Sequence, residues 1–229
     1  EGLCRYYRER FTAFRQSDGL VGGAIYALCE DRQGCIWIGT SAGLCRYDGE
    51  NFTTFTQEDG LPHKIVTAIL QTEDGTFWFG TEGGGVCRYD GKVFQVIKTP
   101  GDPGFNVINA IYEDSHHQVW FGTEGGLVRY MTQKERPEVT ITGVIADRTY
   151  ETIRALEIPT TVHRISFSFR GRSFIERSSN LVYRYRLEGY EEEWHQTREQ
   201  EVDYPQLTPG EYRFMVQAVD TDLNYSEVG

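Results

Sequence analysis

Five histidines, five cysteines and 34 acidic side chains are the groups through which this 229-residue chain could do chemistry. A nucleophile needs a base beside it, and a metal ion needs several converging ligands. His63, His116, His117, His163 and His195 stand in no such motif. His116 and His117 are neighbours at an expected hairpin tip, where adjacent residues seldom converge on one ion without further ligands. Asp31, Asp74 and Asp114 recur at turns, but the several oxygens of a calcium loop are missing around them, so turn formation is their expected role. Gly83-Gly-Gly85 has neither the following helix nor the Lys-Ser/Thr pair of a phosphate loop. The expectation is a region with no catalytic residues, no metal and no cofactor.

What the sequence does carry is repetition. Gly2-Leu-Cys-Arg-Tyr6 returns as Gly43-Leu-Cys-Arg-Tyr47, Gly85-Val-Cys-Arg-Tyr89 and Gly126-Leu-Val-Arg-Tyr130, and a second phrase recurs as Trp37-Ile-Gly-Thr40, Trp78-Phe-Gly-Thr81 and Trp120-Phe-Gly-Thr123. The period is about 41 residues, within the range of propeller blades. One unit reads as four short strands over 25–30, 35–39, 43–47 and 51–56, divided by Gly- and Asp-bearing turns. Helical solenoids of similar period need 3.6-residue apolar spacing and few glycines, which this region does not have. The repeated Trp37, Trp78 and Trp120 are expected to fill the space between adjacent sheets, and Cys4, Cys45 and Cys87 to be small buried apolar positions.

On these phrases, with Phe-x-x-Phe following the Arg-Tyr pair at Phe11–Phe14 and Phe52–Phe55, and Asp18-Gly-Leu20 and Asp59-Gly-Leu61 as linkers, residues 1–130 resemble the two-component regulator propeller repeat. The third unit departs from the pattern, with Pro103-Gly-Phe105 for the linker and His116-His117 for the turn Gln33-Gly34. The strand count gives two full blades and two partial ones over residues 1–133. Closed propellers have about four to eight blades. The expectation is therefore a piece of a longer protein, or a ring completed by a second copy.

The period stops near 131–137, and residues 134–229 show alternating segments at 138–145, 164–170, 181–188 and 211–219, as in an immunoglobulin- or fibronectin-like β-sandwich. Tyr185, Tyr204 and Tyr212, with Trp194 and the phrase Pro209-Gly-Glu-Tyr212, make this part similar to the domain named for three tyrosines, Y-Y-Y. The fold class expected is thus all-β: a partial propeller followed by a sandwich. The resemblance of the two parts, in that order, implies the sensor region of a hybrid two-component histidine kinase. It implies a periplasmic or extracellular position, a homodimer formed through the sandwich, membrane attachment only through segments absent here, and a carbohydrate or other small ligand.

A net charge of −11, shared between both parts, argues against nucleic acid. No run approaches the about 18 apolar residues of a membrane span. Five cysteines cannot all pair; Cys29 and Cys35 flank one hairpin and could approach, and reduced, buried thiols are the preferred reading. Candidate ligand contacts lie in the connections 16–23, 57–65 and 99–106, namely Asp18, Asp59, His63, Lys64 and Asn106, because exposed loops on a rigid scaffold often carry function. A scaffold for protein partners is the alternative, and a propeller lyase or glycosidase a weaker one.

Overall fold

The computed structural model describes residues 2–98, 103–150, 155–174 and 180–229. The chain divides into two compact units, Glu1–Thr132 and Gln133–Gly229. In the first, period-2 apolar segments separated by glycines at positive φ fold back on themselves as antiparallel hairpins. A pair, β1 (Leu3–Tyr7) and β2 (Arg10–Phe14), is followed by the four-stranded sheet β3 (Ile25–Glu30), β4 (Ile36–Thr40), β5 (Leu44–Tyr47) and β6 (Phe52–Phe55). A second four-stranded sheet holds β7 (Val66–Gln71), β8 (Phe77–Thr81), β9 (Val86–Tyr89) and β10 (Phe94–Ile97). The third sheet has three strands, β11 (Ile108–Glu113), β12 (Val119–Thr123) and β13 (Gly126–Tyr130). Consecutive strands are neighbours throughout, the meander of a propeller blade.

Successive blades pack face to face through a core that the repeat writes once per blade. Trp37 of β4 lies against Phe77, 4.5 Å between ring centroids, and against Phe79 at 5.5 Å in the next blade. Trp78 of β8 meets Phe121 at 5.6 Å and Tyr130 at 5.3 Å in the blade after. The glycine two residues on from each Trp makes the approach possible. A Cβ on Gly39 would stand 2.6 Å from the Val66 carbonyl oxygen, and one on Gly80 would stand 2.5 Å from Ile108 Cγ2. At Gly122 the nearest atom would be Ala110 Cβ at an ordinary 3.6 Å, because no described sheet packs beyond β12.

The repeat's cysteine position is buried only where a blade is complete. Cys45 and Cys87 are fully buried, but Cys4 is exposed, contrary to expectation, since its sheet consists of two strands. Trp120 is likewise only half-buried. None of the five cysteines, all of them among the described residues, is in a disulfide, and burial, the largest influence, raises the pKa of Cys29 and Cys45. The departing hairpin of the third blade forms a turn like the others, with His117 at φ 59 where its counterparts Gly34 and Gly75 stand at 82 and 91.

The second unit is a two-sheet sandwich. One sheet runs in the order β15 (Thr149–Tyr150), β14 (Glu138–Ile145), β16 (Ile165–Arg172) and β19 (Glu201–Tyr204); the other in the order β18 (His195–Thr197), β17 (Val182–Glu188) and β20 (Arg213–Val219). Alternate residues of both sheets meet in the core: Ile165, Phe169, Val202 and Tyr204 from one, Tyr183, Leu187, Val216 and Ala218 from the other. Phe167 and Phe214 stack across it at 4.1 Å. The all-β class read from the sequence, partial propeller then sandwich, is the one observed.

Gly80→Ala should destabilise the propeller by about 1–3 kcal/mol, the usual cost of overpacking. Gly122→Ala should change stability by less than about 0.5 kcal/mol. Urea titrations of the two variants beside the parent chain check the contrast.

Candidate functional site

The connections between blades are closed by their own side chains. The Asp18 carboxylate accepts the Arg15 backbone N–H at 2.7 Å, and Asp59, its counterpart one blade on, accepts the Thr56 N–H at 2.7 Å. Each connection then turns through a left-handed glycine, Gly19 at φ 104 and Gly60 at φ 114. His63 Nδ1 accepts the Ile65 N–H at 3.2 Å, and Lys64 is exposed. The Asn106 carbonyl takes the N–H groups of Gly83 at 3.1 Å and Gly85 at 2.9 Å. His63 and Asn106 thus come to one turn, since a Cβ on Gly84 would touch His63 Cβ and one on Gly85 would touch Asn106 Oδ1. Asp18 and Asp59 stand at separate connections, and residues 99–102 of the third connection lie outside the described residues.

A second arrangement recurs at the β-hairpin tips. In the first full blade Asp31 is buried, and its carboxylate accepts the Gln33 and Cys35 N–H groups at 2.9 Å each and the Trp37 indole Nε1–H at 2.8 Å. In the last blade Asp114 accepts His116 N–H at 2.8 Å, Gln118 N–H at 3.0 Å and Trp120 Nε1–H at 2.7 Å. Burial works to raise the Asp31 carboxyl, but the donors from Cys35, Trp37 and Gln33, with the Arg46 charge, outweigh it and hold the group below the usual carboxylate range. The Trp120 indole, then the backbone donors, hold Asp114 low in the same way. Both aspartates stand six residues before their tryptophan.

In the middle blade that place belongs to Thr72. Asp74, grouped above with Asp31 and Asp114, sits two residues further along and does a different job. Its carboxylate accepts the Thr72 hydroxyl at 2.8 Å and the Thr76 N–H at 2.9 Å. The Trp78 indole Nε1 is left buried without a hydrogen-bond partner. Counting back from each Trp, rather than matching the nearest Asp, was the signal that could have found this.

Hydrogen bonds also run between the tips. The Arg32 N–H reaches Gln71 Oε1 at 3.0 Å, and one blade later the Glu73 N–H reaches Glu113 Oε2 at 2.9 Å. His117 adds its ring at the second junction, with Nδ1 3.1 Å from Glu73 and 3.3 Å from Glu113. Beneath this junction lies a cavity of about 320 Å³ lined by Thr72, Asp74, Trp78, Arg88 and Val119. Among the described residues no group of three or more His, Cys, Asp or Glu is arranged to hold a metal ion.

In the sandwich the three tyrosines make different contacts. Tyr204 donates to Glu191 Oε1 at 2.6 Å and Tyr212 donates to the Thr208 carbonyl at 2.7 Å. Tyr185 packs against Phe214 at 6.4 Å and His195 at 5.6 Å. Burial, and then the bond to Glu191, push the Tyr204 phenol strongly up. Trp194 lies beneath the guanidinium groups of Arg184 at 5.0 Å and Arg186 at 5.5 Å.

Because the Asp31 and Asp114 carboxyls are lowered by folding, the stability they contribute is complete above the ordinary carboxylate value of about 3.9 and is lost as pH falls through their folded values. Asp31→Ala should cost about 1–3 kcal/mol at neutral pH, since it strands the buried Trp37 donor, and should flatten the acid limb of a stability–pH curve measured by urea denaturation.

The two component regulator propeller model matches residues 19–42, 60–83 and 103–125, and the Y_Y_Y domain model matches residues 176–228. No curated protein matches the chain. Among solved structures, the extracellular domain of a candidate hybrid two component system from B. thetaiotaomicron is 21% identical, with a TM-score of 0.49, over 96% of this chain and 33% of its own. A second such domain from the same organism is 16% identical with a TM-score of 0.43, over 99% of this chain and 32% of its own. An inactive virginiamycin B lyase from Staphylococcus aureus is 13% identical with a TM-score of 0.41, over 94% of this chain and 83% of its own. The chain spans about a third of the length of the first two. At these scores the neighbours carry no assignment of function; the repeat and domain matches carry the conclusion. The chain holds two component regulator propeller repeats followed by a Y_Y_Y domain.

Proposed function

We propose that this chain is part of the extracytoplasmic sensing region of a two-component signalling protein. The propeller unit binds a carbohydrate or other small ligand, and the sandwich unit carries the response by pairing with a second copy. The observation that carries this reading is the order of the two families along one chain, regulator repeats first and Y_Y_Y domain second. The ligand need only bind the two arrangements of the pair with different affinity to shift their populations. In this reading the exposed connections contribute ligand contacts, with Asp18, Asp59 and Lys64 exposed and His63, beside Lys64, half-buried. No step of the reading asks the chain for catalysis.

A protein-docking role is the second reading. The β1–β2 hairpin favours it, presenting Tyr6 at 62%, Tyr7 at 59% and Phe11 at 76% exposure. Exposed aromatics on a hairpin are common anchors at protein interfaces.

Light scattering on the chain with and without residues 133–229 distinguishes the two. Loss of a dimer on removing the sandwich supports the relay. A monomer in both cases contradicts it and leaves the docking reading. For the connections, the pair His63→Ala and Lys64→Ala should weaken ligand affinity about tenfold, as read by calorimetric titration, with no more than the small fall in urea midpoint expected from losing the acceptor of the Ile65 N–H.

A further inference from the structure

The middle blade breaks the repeat at one position, and that break has a consequence for binding. In the sister blades the indole N–H of Trp37 and Trp120 is satisfied from within, by Asp31 and Asp114 at 2.8 and 2.7 Å. In the middle blade Thr72 replaces the aspartate. Its shorter side chain gives its hydroxyl to Asp74, and Trp78, only 2% exposed, keeps a donor with no acceptor. A buried donor left unpaired is costly to keep, so an acceptor arriving from outside would regain that cost.

Space for such a visitor is present. The cavity of about 320 Å³ lies at the lower end of the about 300–1,000 Å³ typical of small-molecule sites; Trp78 forms part of its wall, with Nε1 covered behind that wall, so an acceptor reaches it only as the lining side chains yield. The Arg88 guanidinium lies over the Trp78 ring at 4.5 Å, so ring and cation form one surface. Glu73, Asp74 and Glu113 line the same space, with His117 at left-handed φ bridging Glu73 and Glu113.

These neighbours define the chemistry. Trp78 Nε1–H demands an acceptor, which an ammonium group cannot supply. Three carboxylates around one guanidinium and one imidazole oppose a second anion. A hydroxyl group accepts and donates at once, so it can take the indole proton and give its own to Asp74, Glu73 or Glu113. We propose that the cavity between the second and third blades is a binding site for a small, uncharged, hydroxyl-bearing molecule, anchored by the Trp78 indole N–H that Thr72 leaves unpaired. This site is distinct from the connections invoked above and stands whether or not the chain is a sensor.

The test follows the Trp78 indole resonance of ¹⁵N-labelled full chain while glycerol, myo-inositol and glucose are added, with glucuronate and glucosamine as charged analogues. The expected result is a saturable shift of the Trp78 signal with at least one neutral probe, and affinity at least tenfold lower for the charged ones. Thr72→Asp supplies from within the carboxylate that the sister blades carry. It should abolish the response in a folded protein, whereas Thr72→Ser should keep it. No saturable shift with any neutral probe would overturn the proposal and leave a bound water alone as the acceptor. A Thr72→Asp chain that binds as well as the parent would overturn it equally. Trp78→Phe is the obvious variant but removes packing as well, so the decision rests on the two substitutions at Thr72.

Discussion

Everything in the first unit depends on how closely one blade can approach the next. Two sheets packed face to face must fill their shared wedge with bulky side chains and yet let backbone meet backbone at its narrow end. The repeat meets both demands with one phrase. Its Trp supplies the bulk, seen in Trp37 against Phe77 and Phe79, and its Gly supplies the clearance, seen where Gly39 faces the Val66 carbonyl and Gly80 faces Ile108. A Trp placed this way carries a polar edge into the wedge, and that edge needs a partner. The buried turn aspartate is the partner, which is why it recurs at a fixed distance before Trp37 and Trp120.

The same constraint accounts for which residues behave alike and which do not. Cys45 and Cys87 each sit in a complete four-stranded blade and are buried, while Cys4, in the same phrase, is open because its sheet has two strands. Burial at a repeat position is a property of the junction, not of the residue. The Thr72 substitution matters for the same reason: it leaves the packing of Trp78 against Phe121 intact but removes the partner of its N–H.

Much of the fold was legible in the sequence because the period is strict. The expected strand at 25–30 is Ile25–Glu30, and those at 43–47 and 51–56 differ by a residue or so at their ends. In the sandwich, long alternating segments such as Glu138–Ile145 were legible, while Thr149–Tyr150, His195–Thr197 and Glu201–Tyr204 were not. Those strands are two to four residues long and mostly polar, so they exist by pairing with a neighbour rather than by any pattern of their own. The candidate site was legible only in part. Sequence could name His63 and Asn106 but not that both close on the turn at Gly83–Gly85, because that meeting depends on the tertiary approach of two connections. It also expected turn formation of Asp31, Asp74 and Asp114 alike, which holds, but the further bond to the Trp indole made by Asp31 and Asp114 and not by Asp74 shows only when the distance to the Trp is counted.

The central claim is that the first and last full hairpin tips are locked by an indole–carboxylate bond and that the middle one is not. It can be tested directly by recording the four indole N–H resonances, assigned through single Trp→Phe variants, as pH is lowered through the carboxylate range. The account predicts large, titrating displacements for Trp37 and Trp120 as Asp31 and Asp114 take up protons, and a far smaller one for Trp78. Equal titration of all three, or none at Trp37 and Trp120, would contradict it.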